Sequence, residues 1–239
     1  MSRRSRTADP EELRQRLVTL LVALPEKVRI GSVHEQVSAL VEVQHYLRDL
    51  GASIGASLAP EDSDSGRARV LAYLRSQVGR IVHTDELMIV AGIGDYPRRI
   101  RELRTKFGWP IISGMAVRDL RADARSNRRH VEQIPGNMAP DEYLLIEDVP
   151  DPTAVARWQN AGRLQTKDGQ TKSALLKYFL QAPGSRVTAE ELRYVANNHG
   201  GWPASVRSLV EDGWQIATHN PRKNAIPFGI FILESTARA

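Results

Sequence analysis

Val70-Leu-Ala-Tyr-Leu-Arg-Ser-Gln-Val-Gly-Arg-Ile-Val82 recurs as Leu175-Leu-Lys-Tyr-Phe-Leu-Gln-Ala-Pro-Gly-Ser-Arg-Val187, at an offset of 105 residues. The register holds through Asp85-Glu86-Leu87 against Glu190-Glu191-Leu192, and Val90-Ala91 against Val195-Ala196. After one inserted residue, Tyr96-Pro97-Arg98-Arg99-Ile100-Arg101-Glu102-Leu103 meets Trp202-Pro203-Ala204-Ser205-Val206-Arg207-Ser208-Leu209. After one deletion, Gly108-Trp109-Pro110-Ile111 meets Gly213-Trp214-Gln215-Ile216. Aromatic, glycine, proline and leucine positions matched in this order mark a duplicated unit rather than a shared composition.

Each unit reads as helix, short strand, helix, turn, helix and β-hairpin. In the first, 67–76 carries Val70, Leu71 and Leu74 at helical spacing, and Gly79 stops that helix before the β-prone Arg80-Ile81-Val82. Thr84 starts a second helix running to about Val90, with Asp85 and Glu86 well placed in its first turn. Gly92-Ile93-Gly94 turns the chain, and Asp95 opens a third helix, Tyr96 to Phe107, whose Pro97 sits where a missing N–H costs little. Strands at 109–113 and 143–146 then flank a long loop. The second unit repeats the scheme with 171–181, 188–196, 202–211 and a hairpin of 214–218 with 229–233. The expected fold class is mainly α with small β-hairpins (α+β): tandem winged-helix, or helix-turn-helix, domains preceded by a helical hairpin. In such a domain the third helix enters the major groove of DNA.

On the first third helix, Ile100, Leu103 and Phe107 share a face that Tyr96 leads into. Arg98, Arg101 and Thr105 fall on the opposite side, with Arg99 and Arg104 on the flanks. The loop of the first hairpin is long and basic, with Arg118, Arg121, Arg125, Arg128, Arg129 and His130, and is expected to reach phosphates rather than read bases. The second unit offers Ser205, Arg207 and Ser208 beside Ala204 on its third helix, and His219, Asn220, Arg222, Lys223 and Asn224 in its hairpin loop. Trp202 and Trp214 are expected in the core rather than as stacking groups.

Four segments follow: a helical hairpin at 1–58, a first winged helix at 66–147, a linker at 148–170 holding a short helix at 153–160, and a second winged helix at 171–235. In the hairpin, Asp9-Pro10-Glu11-Glu12 starts one helix with Leu13, Leu17, Leu20 and Leu24. Ser32 and Glu35 form a capping-box pattern for the next, with Val37, Leu40, Val41 and Leu47, and Gly51 is expected to end it. Two amphipathic helices cannot bury both apolar faces alone, so they should pack on the first winged helix or form a homodimer.

The net charge of +5 comes from 33 basic residues of which six are lysine, so arginine dominates. Its planar fork suits phosphate and guanine, although GC-rich codon usage produces the same bias. The chain has no cysteine, which excludes disulfides and thiolate zinc sites. It shows neither an apolar h-region at the N-terminus nor an apolar run of the roughly 18–20 residues that span a bilayer. A cytoplasmic, nucleoid-associated protein without membrane contact is expected.

No catalytic constellation is visible, and no metal or other cofactor is expected. None of the six lysines has an acidic residue two positions before it, as a PD-(D/E)xK nuclease requires. His34, His45, His83, His130, His199 and His219 show no His-x-x-x-His or His-Asn-His grouping, and there is neither a phosphate-binding glycine loop nor a Gly-x-Ser-x-Gly elbow. Asp95-Tyr-Pro-Arg-Arg-Ile-Arg-Glu-Leu-Arg-Thr-Lys-Phe-Gly-Trp-Pro-Ile-Ile112 and Glu191-Leu-Arg-Tyr-Val-Ala196 resemble the winged-helix region that precedes the nuclease in bacterial HNH endonucleases of the modification-dependent restriction type. The resemblance covers about 67–235 and implies duplex DNA binding by a sequence- or modification-specific targeting module, methyladenine among the candidate marks. The sequence ends at Ala239, where the HNH domain of that family would begin, so either a longer enzyme's recognition part or a stand-alone relative is expected. The alternatives are a transcriptional repressor dimerised through the N-terminal helices, or a structural adaptor of a chromosome-organising complex, against which the basic charge argues.

Overall fold

Asp9 and Pro10 start the first helix as their chemistry dictates: the Asp9 carboxylate accepts the Glu11 N–H at 3.0 Å, and proline fills a position whose N–H needs no partner. A computed structural model describes residues 9–59, 65–126, 138–165, 170–220 and 225–238. These residues fall into two compact units, 1–76 with 84–100, and 77–83 with 101–239. Among the described residues the protein is mainly helical with two small antiparallel sheets, and no helix is long and apolar enough to cross a membrane.

In the first unit, helix α1 (Pro10–Ile30) runs antiparallel to α2 (Val33–Leu58) across a two-residue turn. The Ser32–Glu35 capping box forms in full, and the Gln36 side-chain amide donates to the Val28 and Gly31 carbonyls across the turn. Leu13 and Leu17 of α1 and Ala39 and Val43 of α2 are buried along the shared seam.

Gly51 does not end α2, which continues to Leu58. Gly51 and Gly55 instead form a small-residue stripe that admits α4 (Thr84–Ala91) at backbone contact: a Cβ on Gly51 would lie 2.7 Å from the Ile89 carbonyl oxygen, and one on Gly55 2.6 Å from that of Val90. The gain from close packing outweighs the entropic cost of glycine inside a helix. Helix α3 (Gly66–Ser76) joins this group through Arg69, a buried cation that donates to the Val90 carbonyl at 3.0 Å and the Ala91 carbonyl at 2.6 Å. A cation on the unsatisfied carbonyls at the end of a helix is the favourable polarity. Gly55→Val is expected to cost about 2–3 kcal/mol through overpacking, whereas Gly94→Ala, where an added Cβ meets nothing within 4 Å, should be near neutral. Urea unfolding of the two variants checks this, and equal midpoints would refute the packing role.

In the second unit, strands β1 (Ile81–Val82), β2 (Ile111–Ser113) and β3 (Tyr143–Leu145) form a sheet in the order β1-β3-β2. The later strands β4 (Val187–Thr188), β5 (Trp214–Thr218) and β6 (Ile230–Arg238) form another in the order β4-β6-β5. The duplication extends to single bonds. Gly79 and Gly184, at φ 74° and 71°, each donate an N–H to the third strand of their own sheet, at Leu145 and Leu233, at 2.9 Å in both cases. The positive φ explains why glycine stands at both positions.

Helix α5 (Tyr96–Phe107) coincides with the expected third helix, and its first five residues belong to the first unit. Ile100 and Leu103 are buried as expected, but Phe107, in the last turn, is 42% exposed. The chain leaves the helix there through Gly108 at φ 70°, so the final turn of the apolar face is left uncovered.

The expected loop between β2 and β3 is a correction in its first half: Gly114–Ser126 is helix α6. The arginines concealed an apolar stripe of Ala116, Val117, Leu120 and Ala124 that packs inward, and the Ser113 hydroxyl accepts the Ala116 N–H at 3.5 Å at the helix start. Helices α7 (Ala154–Leu164), α8 (Thr171–Leu180), α9 (Ala189–Val195) and α10 (Trp202–Glu211) complete the unit. One continuous core runs from Ile112, Ala116 and Val117 to Leu175, Phe179, Leu192, Trp202 and Leu233. Trp202 and Trp214 lie in it as expected.

Candidate nucleic-acid interface

Helix α5 presents the basic face. Arg98 and Arg101 are exposed one turn apart, and Arg99 is half-buried on the flank. Asp95 Oδ2 stands 4.0 Å from Arg98 Nη1 in a pair whose side chains are both exposed. The Thr105 hydroxyl donates to the Arg101 carbonyl at 2.8 Å. Arg104 turns inward instead: its Nε donates to the Ile111 carbonyl at 2.7 Å, its Nη1 lies 3.4 Å from Glu190, and its guanidinium stands 5.6 Å from the Tyr143 ring centre.

The equivalent helix of the second repeat is placed differently. Arg207 of α10 donates to Asp123 of α6 at 3.0 Å and to Glu211 at 3.4 Å, and the bond from Asp123 raises the Arg207 guanidinium above its ordinary pKa. Ser208 accepts from Lys172 at 2.7 Å, Lys172 pairs with Asp212 at 2.7 Å, and Ser205 is half-buried. Asp119, one turn before Asp123, accepts from Arg193 at 3.1 Å and from the Trp202 indole at 3.2 Å. Helix α6 therefore lies along the outer side of α10 and α9. The signal for it was in the sequence: Ala116, Val117, Leu120 and Ala124 share one face at helical spacing, with Asp119 and Asp123 together on its flank.

Arg118 is exposed on α6 and Arg121 half-buried. Arg125 lies in the same helix, while Arg128, Arg129 and His130, with Arg222, Lys223 and Asn224 of the second hairpin loop, lie outside the described residues. His219 contacts the Ile226 carbonyl through Nδ1 at 2.7 Å and packs edge-on to Phe228, and Asn220 is half-buried.

Beneath α9 sits a polar cluster that sequence reasoning missed. Arg157 of α7, 5% exposed, meets the fully buried Glu191 with two bonds of 2.9 and 3.2 Å. It also donates to Asp151 at 2.8 Å, to the Thr153 hydroxyl at 2.6 Å and to the Arg186 carbonyl at 2.9 Å. Burial alone would make the guanidinium easier to deprotonate, but the bonds and charges of Glu191 and Asp151 outweigh it and raise the pKa. Glu191 is completed by the Thr188 N–H and hydroxyl and by the Tyr178 hydroxyl.

Tyr178–Glu191 has a counterpart 105 residues earlier in Tyr73–Glu86, whose hydroxyl and carboxylate also bond. The bond to Glu86, with burial behind it, pushes the Tyr73 phenol up to about 12; burial first, then the Glu191 charge, raises Tyr178 as well. A phenol raised in the folded state stabilises the fold fully below its unfolded value of about 10 and loses that stabilisation as pH rises through the folded value. The urea midpoint is therefore expected to fall between about pH 10 and pH 12, and less steeply in Tyr73→Phe. A level midpoint across that window would contradict the pairing.

The family model described as the KpnI N-terminal domain matches residues 67–146 and 172–234, the two stretches that carry the internal repeat. KpnI is a restriction endonuclease, so the domain is a restriction-enzyme-related one. No curated protein and no solved structure matches the chain.

Proposed function

The chain belongs to the KpnI N-terminal domain family, and from that premise we propose that it binds duplex DNA as the sequence- or modification-specific targeting module of a restriction endonuclease. The observation that carries this reading is the exposed arginine pair Arg98 and Arg101 on α5, a third helix whose partner face is apolar and buried. In each repeat the order helix, strand, helix, helix, strand, strand, with α6 inserted between the last two strands of the first repeat and the first strand paired to the third in both, supports two winged helices at 66–147 and 171–235. The two are not equivalent readers in this proposal. Helix α5 takes the groove, while α10, its arginine held by Asp123, braces the first repeat through α6. Arg118, Arg121 and the basic residues of both hairpin loops add attraction to phosphates.

Fluorescence anisotropy with a labelled duplex tests the reading. Neutralising several phosphates gives a log–log salt slope near −0.9 per contact, so affinity should fall steeply from low to moderate salt. A flat response, or no binding to any duplex at low salt, would remove it.

A homodimer through α1 and α2 forms part of the same proposal. Val33, Leu40, Leu47 and Ile54 recur every seventh residue on α2, with Val37 and Leu58 completing the stripe, and all six are 47–74% exposed. A heptad seam left open on a 26-residue helix suits a second copy of the same helix. Sedimentation velocity should give twice 26.7 kDa, and Leu40→Glu with Leu47→Glu should give one chain. A monomeric wild type would end this part of the proposal and leave the DNA reading standing.

A further inference from the structure

Three aromatic rings converge on a cavity of about 640 Å3 that lies wholly within the second unit: Tyr143 of β3, Trp158 of α7 and Tyr194 of α9. The volume falls inside the roughly 300–1,000 Å3 of small-ligand pockets. Trp158 and Tyr194 stand 5.5 Å apart at 60°, a tilted aromatic pair within the cavity's lining. Their apolar surface is not what marks the cavity as a site. At its wall Arg104 has spent Nε on the Ile111 carbonyl and Nη1 on Glu190, while its Nη2 is buried with no hydrogen-bond partner among the described residues. Beside it, Glu190 gives Oε1 to the Ser113 N–H and hydroxyl, and Oε2 faces Arg104 at 3.4 Å. A buried donor without a partner is costly and rare, which sets this wall of the cavity apart from the rest of the core.

We propose that this cavity receives a single nucleobase turned out of a DNA duplex. Every base presents an acceptor next to a donor on its pairing edge, and Arg104 and Glu190 place a cationic and an anionic group side by side in the cavity's lining. The aromatic rings replace the stacking that the base gives up. Arg101 and Lys106, exposed at the rim, supply positive charge for the flanking phosphates. Arg101 also belongs to the groove-facing side of α5, so a duplex lying along that helix brings its bases to the mouth of the cavity. The inference rests on the duplex-binding reading and adds to it a mode of reading, by extrusion of one base.

Extrusion is easiest where pairing is already weak. The full chain should therefore bind a duplex with one central A·A mismatch at least tenfold more tightly than the same duplex fully paired, by anisotropy at fixed salt. Trp158→Ala should abolish that preference while leaving affinity for the paired duplex within twofold. Gln159→Trp, an exposed position of α7 at the cavity's lining, should do the same by filling the mouth without removing a buried group. It decides the matter if Trp158→Ala fails to fold. Equal affinity for both duplexes would overturn the cavity proposal and leave duplex binding intact. A preference that survives Gln159→Trp would overturn it too, because duplex flexibility alone would then explain the result. Binding to neither duplex would overturn the reading beneath it, and the cavity's role with it.

Discussion

Arg157→Ala is expected to lower the thermal midpoint of the protein by roughly 10 °C, the largest single-residue effect on stability that the fold predicts. Removing the guanidinium leaves Glu191, fully buried, without its charged partner, and takes one donor from Asp151 and one from the Arg186 carbonyl. Breaking one side of such a pair costs about 3–5 kcal/mol, because an uncompensated charge stays in the core. Against a total stability of about 5–15 kcal/mol that is a large fraction. Arg186→Ala removes a different pair, with Glu147, in which both side chains are 36–45% exposed, and it should cost less than about 1 kcal/mol. Thermal unfolding followed by circular dichroism compares the two. If Arg157→Ala melted within a degree or two of Arg186→Ala, the cluster would not be the support described.

The second large effect concerns binding. Arg98→Ala combined with Arg101→Ala should reduce specific affinity by about thirtyfold or more, since each guanidinium that reads a base edge contributes about 1–3 kcal/mol. The loss should exceed that of Arg128→Ala with Arg129→Ala, which the proposal assigns to phosphates, a contact that would act almost equally on any sequence. The loop variant should instead lower the salt slope while keeping the ratio between a preferred and a random duplex. If the loop variant alone lost that ratio, base readout would belong to the loop.

Much of this architecture was legible in the chain because the duplication repeats its own chemistry. Gly79 and Gly184 recur because both strand starts need a positive φ, and Tyr73 with Glu86 recurs as Tyr178 with Glu191 because the same bond is made twice. Periodicity located α5 and α10 to the residue. Periodicity failed where two requirements shared a segment. In 114–126 the count of arginines suggested a basic loop, while the smaller residues between them built a helix. At Gly51 a residue type that often ends helices was serving close packing against Ile89. Arg104 with Glu190, Arg207 with Asp123 and Arg157 with Glu191 join residues 34 to 86 positions apart, which no local pattern reports.

In the proposed binding mode α5, and not α10, faces DNA. A photo-crosslinking amino acid, p-benzoylphenylalanine, placed at position 101 or at position 208 separates the two helices in otherwise identical proteins. Irradiation with a labelled duplex at low salt should give a covalent protein–DNA product from Arg101→p-benzoylphenylalanine and little or none from Ser208→p-benzoylphenylalanine. A product from position 208 with none from position 101 would contradict the account.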